Sequence, residues 1–413
     1  MNRHNVTPWL LALTCLWSVA GSVSGQEVGD SIVIKTYQSS LRAEHGSTAT
    51  VTRGDILGVL KVEPNRFYAR LWDGRNRQAE GWINRGDVLA LSAALAIFDD
   101  ELKRSQTAEG YAIRGEIQGH LKEYDKAIAD FEEAIRRDPK QARFYSLRGA
   151  ARSHKHQEDH AIADFTEAIR LDPEYATAYV RRAFSWREKG KYDKAMADCN
   201  EALRINPKFA VGHAARATVW ISGKQFGLAI SDCGEAIRLD PNLAAGYATR
   251  GYAWQLKADY AKAIADYDAA IRLNPKTSKW FLNRGVVCAE TEDYEQALAD
   301  CDTAIRLDRK DFSALSFRAW LTATCSEVRY RDPKRSLQDA KKACELSDWK
   351  AGKPLEALAA AYAENGDFFN AVKWQKKALE LVPENEPWQR PALDVRLRLY
   401  QSQQPYHGKR PSD

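Results

Sequence analysis

The sequence predicts a mostly α-helical protein, an array of stacked helix pairs preceded by a small all-β region. The main observation is a phrase that returns six times, from DKAIADFEEAIRRDP to QALADCDTAIRLDR. Its copies lie 34 residues apart (161 − 127 = 34), with their alanines at Ala127, Ala161, Ala195, Ala229, Ala263 and Ala297. The second observation is a series of short β-rich runs before this array. A repeat of this length indicates units that bury their apolar faces against their neighbours.

The charge balance argues against a nucleic-acid partner. The chain has 413 residues, with 61 Lys and Arg against 56 Asp and Glu, so its formal net charge is 61 − 56 = +5. Basic residues occur at most in pairs such as Arg136-Arg137 and are interleaved with acidic residues. A nucleic-acid surface needs a stripe of one sign. We therefore expect no nucleic-acid ligand.

The N-terminus has the features of an export signal. Arg3 and His4 precede an apolar stretch from Trp9 to Ala20, and the small residues of GSVSG follow. A charged start, a short apolar core and small residues at the cleavage point are typical of a signal peptide. We predict that residues 1–25 are removed on export to the periplasm or cell envelope, or on secretion. The alternative is a retained membrane anchor, for which the apolar stretch is short; we expect no membrane span after cleavage.

Residues 28–91 form the β region. Runs such as SIVIK, ILGVLKV and RFYARLW are separated by Gly, Asn, Asp or Ser. Short strands with turn residues between them indicate a small antiparallel barrel. The region resembles the bacterial Src-homology-three-like barrel at Gly29-Asp30, Leu41-Arg42, Arg53-Gly54-Asp55, Val59 to Val62 and Gly81-Trp82-Ile83. The resemblance implies a module that binds peptide or cell-wall material without catalysis.

The segment 92–107 resembles the second half of a repeat. SAALAIFDDELKRS aligns with AIADFEEAIRRD, which places Ala94 over Ala127 and Phe98 over Phe131. We predict a capping half-repeat that closes the start of the array and joins it to the β region without a flexible linker.

Each regular unit contains two segments with apolar residues at helical spacing, joined by a polar turn. Small residues recur where the two helices approach closely. Asp-Pro or Asn-Pro ends the second helix, because the residue before proline disfavours the α region. The order of aromatic, small, alanine, aromatic, alanine and proline residues is identified as the tetratricopeptide repeat (TPR).

The TPR resemblance implies an α-α superhelix, or TPR solenoid. It divides the helical part of the chain into six regular units over 108–311, an irregular unit over 312–351 and a further unit over 352–385. Residues 386–413 are predicted to form a capping helix from about Pro391 to Tyr400 and a disordered tail from Ser402.

An arginine and an aspartate also recur with the period of the repeat. They are Arg114, Arg148, Arg182, Arg216, Arg250, Arg284 and Arg318, and Asp130, Asp164, Asp198, Asp232, Asp266 and Asp300. Because both series keep the same register, we predict Arg–Asp contacts within or between units, bidentate where geometry allows. The alternative is a basic ladder for polyanions, which paired arginines would serve poorly.

The resemblance further implies that the first helix of each unit lines a concave groove. The candidate ligand residues lie at positions i, i+4 and i+7 of these helices: Ser146, Val180, Phe184, Arg187, Thr218, Tyr252, Gln255 and Val286. They form a mixed apolar and hydrogen-bonding surface that suits a peptide or helix of a protein partner. The two aromatic candidates are expected either to contact ligand or to pack between repeats.

Six cysteines follow the predicted signal peptide. Three occupy the slot that Phe or Tyr fills in other copies, which indicates buried packing residues: Cys199, Cys233 and Cys301. Cys325 and Cys344 fall on the two helices of the irregular unit. A disulfide between them is a hypothesis for an oxidising compartment.

The sequence offers little that resembles a catalytic or metal site. One cluster has metal-binding residue types: His154, His156, Glu158, Asp159 and His160. These residues lie where the chain turns, and turns expose polar residues without binding metal. The sequence contains no phosphate-binding loop, nucleophile elbow or zinc-helix pair. We predict no metal, no cofactor and no enzymatic activity.

Together these observations predict an exported, non-catalytic scaffold for protein–protein interaction, with the β region as a second binding module. The alternative is a cell-wall protein whose barrel binds peptidoglycan, as glycan or stem peptide, while the repeats recruit an enzyme.

Overall fold

The computed structural model describes residues 31–34, 38–42, 48–52, 56–62, 66–72, 78–84, 88–382 and 390–408. The chain divides into two compact units, Met1–Gly223 and Lys224–Asp413. The predicted signal peptide, residues 1–25, lies outside the described residues. Among the helices described, none has both the length and the apolar character needed to cross a membrane.

Seven strands lie in the predicted β region of the first unit: β1 (Ser31–Ile34), β2 (Gln38–Arg42), β3 (Thr48–Thr52), β4 (Ile56–Val62), β5 (Arg66–Trp72), β6 (Gln78–Asn84) and β7 (Val88–Ala90). They pair antiparallel in one sheet, in the order β3-β2-β6-β5-β4-β1-β7. Strands β4, β5 and β6 form a meander at its centre, and Leu57 and Ile83 are buried. The segments that connect the strands lie outside the described residues, so closure into a barrel stays a prediction.

The sheet leads directly into the first helix. β7 ends at Ala90, and α1 (Leu91–Arg104) begins at the next residue. Val33 and Leu89 of the sheet share a buried cluster with Ala94 and Phe98 of α1. Ala94 and Phe98, which align with residues of the second helix of a repeat, are therefore buried partly against the sheet.

The rest of the first unit consists of helix pairs: α2 (Ala108–His120), α3 (Tyr124–Arg137), α4 (Ala142–His154), α5 (Glu158–Leu171), α6 (Ala176–Glu188), α7 (Tyr192–Ile205) and α8 (Ala210–Ser222). We call the first and second helix of each repeat its A helix and B helix. Helices α2 to α7 form three complete repeats, and α8 is the A helix of the fourth.

The second unit begins with the B helix of the fourth repeat and continues as helix pairs: α9 (Phe226–Leu239), α10 (Ala244–Leu256), α11 (Tyr260–Leu273), α12 (Ser278–Glu290), α13 (Tyr294–Leu307), α14 (Phe312–Thr324), α15 (Pro333–Leu346), α16 (Gly352–Glu364), α17 (Phe368–Glu380) and α18 (Arg390–Gln401). The irregular seventh repeat keeps its helix pair, α14 and α15. Its longer connection contains a 3₁₀ turn at Val328–Tyr330.

The B helices of the six regular repeats end at Asp or Asn, whose side chain accepts a hydrogen bond from the backbone N–H two residues on. Asp138 has an extended backbone, and its Oδ1 accepts a hydrogen bond from the N–H of Lys140 at 3.2 Å. The sixth repeat has Arg309 where proline is expected, yet Asp308 accepts the same bond from Lys310 at 3.0 Å. The side-chain turn thus ends this helix without proline.

The A and B helices of a repeat approach most closely at one pair of positions. An ideal Cβ on Gly149 would lie 2.7 Å from Cε1 of the buried Phe165, so phenylalanine at this position requires glycine opposite. In the third repeat the two positions hold Ala183 and Cys199, both buried. A smaller slot residue leaves room for the alanine methyl. The prediction that three cysteines fill this slot is confirmed, because Cys199, Cys233 and Cys301 are fully buried.

The turn between the A and B helices places one residue in the left-handed region. In the first unit φ is 64° at Lys122, 57° at His156 and 68° at Gly190, at intervals of one repeat. In the second unit φ is 58° at Ala258 and 67° at Glu292. Residues other than glycine are strained in this conformation, so the repeat geometry imposes a small cost at most of its turns.

Two sequence predictions for the second unit are wrong. Cys325 and Cys344 are both free, and they face different buried clusters: Cys325 packs towards the sixth repeat and Cys344 towards the eighth. The disulfide is therefore absent from the structure. The tail is predicted to be disordered from Ser402, but residues 402–408 make defined contacts, among them the packing of Tyr406 against Trp320. Residues 409–413 lie outside the described residues.

Candidate ligand-binding face

We define the A-helix face as the side chains at the fifth, ninth and twelfth residue of each A helix. Two predicted ligand residues at the fifth position are buried, which corrects the sequence prediction that they face a ligand. The hydroxyl of Ser146 accepts a hydrogen bond from Arg181 Nη1 at 2.9 Å. Val180 packs in a cluster with Ala176 and Val219. Both side chains are covered by the adjoining repeat.

Three further predicted residues of the first unit are only partly accessible. Phe184 is half-buried against the same cluster as Val180. The guanidinium carbon of Arg187 lies 5.4 Å from the centre of the Phe184 ring, and Nη2 of Arg187 donates a hydrogen bond to Glu188 at 2.5 Å. The hydroxyl of Thr218 donates to the carbonyl of Ala215 at 2.7 Å, so it is satisfied within its own helix.

The predicted residues of the second unit include the most exposed aromatic side chain of the set. Tyr252 is 41% exposed. Gln255 accepts a hydrogen bond from the hydroxyl of the buried Tyr267 at 3.0 Å, and burial raises the pKa of that hydroxyl. Val286 is half-buried against the cluster of the sixth repeat. The face here combines an exposed ring, an amide and an aliphatic side chain.

A charged cluster on the A helices of the first three repeats was not foreseen from the sequence. Arg143 donates through Nη1 to Glu109 at 2.5 Å and through Nη2 to Glu116. Burial raises the pKa of Glu116, while the positive charges of Arg143 and Arg181 oppose that rise. Burial likewise lowers the pKa of His154, with a further contribution from Arg181. The available signal was the spacing of Glu109 and Arg143, one repeat apart.

The predicted Arg–Asp contacts are confirmed within repeats. Arg114 donates through Nε and Nη2 to the two carboxylate oxygens of Asp130, at 2.7 and 2.6 Å. The same spacing of 16 residues recurs in the pairs Arg148–Asp164, Arg182–Asp198, Arg250–Asp266 and Arg284–Asp300. In the seventh repeat Arg318 takes Asp339 instead, 21 residues away, because the connection is five residues longer (21 − 16 = 5).

Most of these arginines also reach the B helix of the preceding repeat. Nη1 of Arg284 donates to Asp268 at 2.5 Å, and Nη1 of Arg318 donates to Asp302 at 2.6 Å. One guanidinium therefore clamps two successive B helices through charge-assisted bonds. This use of the donors favours the structural interpretation of the series over a basic ladder for polyanions.

Models of the tetratricopeptide repeat family match residues 108–141, 176–209 and 257–312. The chain contains tetratricopeptide repeats. The matched segments lie within the helix pairs described above, and their 34-residue period is that of the recurring phrase. TPR units imply a role in protein–protein interaction.

Solved structures with similar folds support the same architecture. The chain is similar to the Cut9–Hcn1 hetero-tetramer of the APC/C, at 16% identity and a TM-score of 0.54, over 66% of this chain and 52% of that one. It is similar to the human IFIT1 dimer with PPP-AAAA, at 14% identity and a TM-score of 0.51, over 71% of this chain and 79% of that one.

A third match is YrrB, described as a TPR protein with an unusual peptide-binding site, at 25% identity and a TM-score of 0.32, over 46% of this chain and 97% of that one. The first two matches, with TM-scores above 0.5 and identities under 25%, show the fold alone, and the match to YrrB is too weak to add to it. The chain spans about half the length of the Cut9–Hcn1 chain that it matches. No curated protein matches the chain.

The histidine cluster in the second TPR does not assemble a metal site. The ring of His154 stacks on Tyr124, with 4.9 Å between ring centres, and Glu158 accepts from the hydroxyl of Ser153. His156 occupies the left-handed turn. Within the described part of the chain, no group of three or more His, Cys, Asp or Glu residues could hold a metal ion.

The cysteines of the TPRs are poorly suited to thiol chemistry. Burial raises the pKa of Cys288 to about 11 and that of Cys344 to about 12. The thiolate is the nucleophilic form, so these side chains remain protonated near neutral pH. Their role is packing.

Proposed function

We propose that the chain is an interaction scaffold whose A-helix face binds a peptide segment of a protein partner, with Tyr252 as an aromatic contact. One observation carries the proposal. The alanines, arginines and aspartates that recur are buried or engaged in the Arg–Asp contacts, whereas the A-helix face differs in sequence from repeat to repeat. Tyr252 is the exposed aromatic side chain on that face.

The recurring and the variable side chains differ in the surface and the hydrogen-bonding groups that they leave for a partner. The recurring arginines donate hydrogen bonds to side chains of neighbouring helices, and the recurring alanines are fully buried. A partner can therefore be recognised mainly through the variable positions. Exposed aromatic side chains are enriched among residues that dominate binding energy. Gln255 and Val286 add an amide and an aliphatic group, which suits an extended segment or a helix.

The test is capture of partners from native cells with the full chain and two single-residue variants. Tyr252→Ala should weaken capture of a specific partner by roughly 30-fold, the effect of about 2 kcal/mol at an aromatic hot spot. Tyr192→Ala is the matched control, because Tyr192 is a tyrosine of similar exposure, 44%, at the start of a B helix. Equal recovery with both variants, at unchanged helix content by circular dichroism, would show that the A-helix face around Tyr252 is not the binding surface.

The proposal includes export of the chain and a second binding role for the β region. Export is supported by the charged and apolar pattern of residues 1–25, and it predicts a mature N-terminus near Gln26. Sequencing that terminus in protein purified from its source tests the idea; a chain that retains Met1 in the cytosol would contradict it. The second role is supported by the direct junction of β7 and α1, which fixes the β region to the first TPR.

Binding of the β region to cell-wall material can be tested with the full chain. Co-sedimentation with purified sacculi would favour the cell-wall function, in which the β region localises the protein and the TPRs recruit an enzyme. A chain that stays in the supernatant would leave protein–protein interaction as the function of both parts.

A further inference from the structure

The A-helix face of the last two TPRs is already occupied by the chain itself. Its residues there are all buried: Ser316, Trp320 and Ala323 on α14, and Glu356, Ala360 and Ala363 on α16. Tyr252, at the equivalent position of the fifth repeat, is exposed. Part of the cover, at Trp320, Ala360 and Glu356, comes from α18 and from the segment Gln403–Gly408, which we call the tail segment.

Helix α18 ends as an A helix does. The N–H of Gln404 donates to the carbonyl of Leu399 at 2.9 Å, as that of Asp367 donates to Tyr362 at the end of α16. Gln403 has φ 55°, the left-handed conformation found at the other A–B turns. Helix α18 therefore ends with the geometry of an A helix, at the place in the chain where the A helix of a further repeat would lie.

This alignment places Arg396 at the small-residue position that Ala359 holds in the eighth repeat. A large side chain at that position leaves no room for a B helix. Arg396 turns towards the preceding repeats: its Nη2 donates to Glu356 at 2.6 Å, and its guanidinium carbon lies 5.0 Å from the ring centre of Trp320. The chain then continues as the tail segment in place of a second helix.

The tail segment makes the kinds of contact that a bound peptide would make. The Tyr406 ring lies 5.9 Å from that of Trp320, and the Arg396 guanidinium lies 5.8 Å from the Tyr406 ring. The backbone N–H of Gly408 donates to the carbonyl of Thr324 at 2.9 Å. Nε2 of His407 lies 2.6 Å from a carboxylate oxygen of Glu364, beside Arg331. An aromatic anchor, one backbone bond and one polar pair thus hold six residues.

The path of the tail segment leads along the A helices towards the sixth repeat. A cleft lined by Ala289, Glu290, Phe317 and Leu321 begins beside Gly408. The cleft is small, about 20 Å³, and has no room for a further peptide residue.

We propose that the tail segment is an intramolecular stand-in for a ligand: it closes the A-helix face of the seventh and eighth TPRs, and a partner peptide displaces it. The displacing peptide has an aromatic residue followed by histidine or another hydrogen-bonding residue, because the exposed site would present Trp320 and Arg396 to a ring and the Glu364–Arg331 pair to a polar side chain. The proposal rests on the proposed function, since it assigns one ligand class to part of the same face.

The test uses a fluorescein-labelled synthetic peptide of the sequence Gln403–Gly408 and measures its anisotropy. Two proteins are compared: the full chain and a chain lacking 403–413. In the full chain the docked tail segment competes with the peptide at an effective concentration of about 1 mM. If the peptide binds the shortened chain with a Kd of about 0.1 mM, it should bind the full chain roughly tenfold more weakly.

Two controls isolate the tail segment. The labelled peptide with Tyr406→Ala should not bind the shortened chain, since it lacks the aromatic anchor. A chain lacking only 409–413 should behave as the full chain does. If the shortened chain loses helix content, the full chain with Tyr406→Ala is used in its place. That variant should bind the peptide of native sequence, because its own tail segment lacks the aromatic anchor.

The proposal is overturned if the peptide binds the full and the shortened chain equally, or if it fails to bind a shortened chain of native helix content. Tyr252→Ala should leave this peptide binding unchanged, because Tyr252 lies in the fifth repeat. Failure of the stand-in and failure of the proposed partner site therefore give different results.

Discussion

The pairing of Gly149 with Phe165 allows a prediction in which one substitution changes sign. Gly149→Ala would place a methyl 2.7 Å from Cε1 of Phe165 and 3.1 Å from Cβ of Asp164. The ring is buried and cannot move away, so overpacking should cost about 2 kcal/mol. Replacing glycine within a helix should return about 1 kcal/mol. The net expectation is a loss of roughly 1 kcal/mol of local stability.

The effect should reverse when the ring is removed. Phe165→Cys alone leaves a cavity and should cost roughly 3 kcal/mol. In that background Gly149→Ala fills part of the cavity and stabilises the helix, so it should recover about 1–2 kcal/mol. The double variant reproduces the combination that the third repeat uses, Ala183 with Cys199. The coupling between the two sites is then about 2–3 kcal/mol.

Hydrogen exchange of the amides of α4 and α5 gives the local opening free energy, which suits a repeat array whose unfolding is not two-state. Gly251→Ala is a control, because its nearest contacts, including Tyr267 Cδ1, are at 3.2–3.3 Å and a smaller loss is expected. Additive effects of Gly149→Ala and Phe165→Cys would refute the steric argument.

Three further predictions concern other parts of the helix pairs. Ala258→Gly should stabilise its turn by about 0.5–1 kcal/mol, because φ there is 58°, and Gly190→Ala should have the opposite effect; local hydrogen exchange measures both. Native Cys288 should resist thiol reagents at pH 8, because burial raises the pKa of its thiol from 9.0 to about 11. For the same reason the free energy of unfolding should fall as the pH rises from 9 to 11, which unfolding experiments over that pH range would show. Arg284→Lys should cost roughly 1–3 kcal/mol through loss of bidentate bonds. Arg204→Lys, in an exposed pair, should have a much smaller effect in the same denaturation assay.

The features of the repeat that recur could be predicted from the sequence because each has one physical cause repeated at one interval. Helix pairs follow from apolar spacing, helix ends from Asp-Pro, and the Arg–Asp contacts from two series in one register. The same logic fails where the interval changes. Asp339 was missed as the partner of Arg318, because the longer connection of the seventh repeat moves it out of register.

The ligand-binding face was harder to predict, because spacing identifies the side of a helix but not what covers it. Ser146 has the right spacing, yet Arg181 of the following repeat reaches over it. The C-terminal segment has no repeat phrase, and its packing depends on isolated contacts of Tyr406, His407 and Gly408. Alignment of α18 with the eighth repeat would have placed Arg396 opposite Ala359, a signal that a further repeat here would lack its second helix.

The arginine clamp of the fifth repeat differs from the others at one position. In the fifth repeat Arg250 pairs with Asp266, but the position 16 residues before it is Gly234, where other repeats carry a side chain that can accept a hydrogen bond. The Arg250 side chain is 26% exposed, against 17% for Arg284, which has both partners.

Gly234→Asp supplies the second carboxylate, and an ideal Cβ at Gly234 meets no atom within 4 Å. We expect a gain of about 0.5–1 kcal/mol that shrinks in 1 M salt, since a half-exposed ion pair is screened. Gly234→Asn is the matched control, because it differs from the aspartate variant mainly in charge. If thermal and chemical denaturation show the same gain for both variants, the second carboxylate is not what completes the clamp.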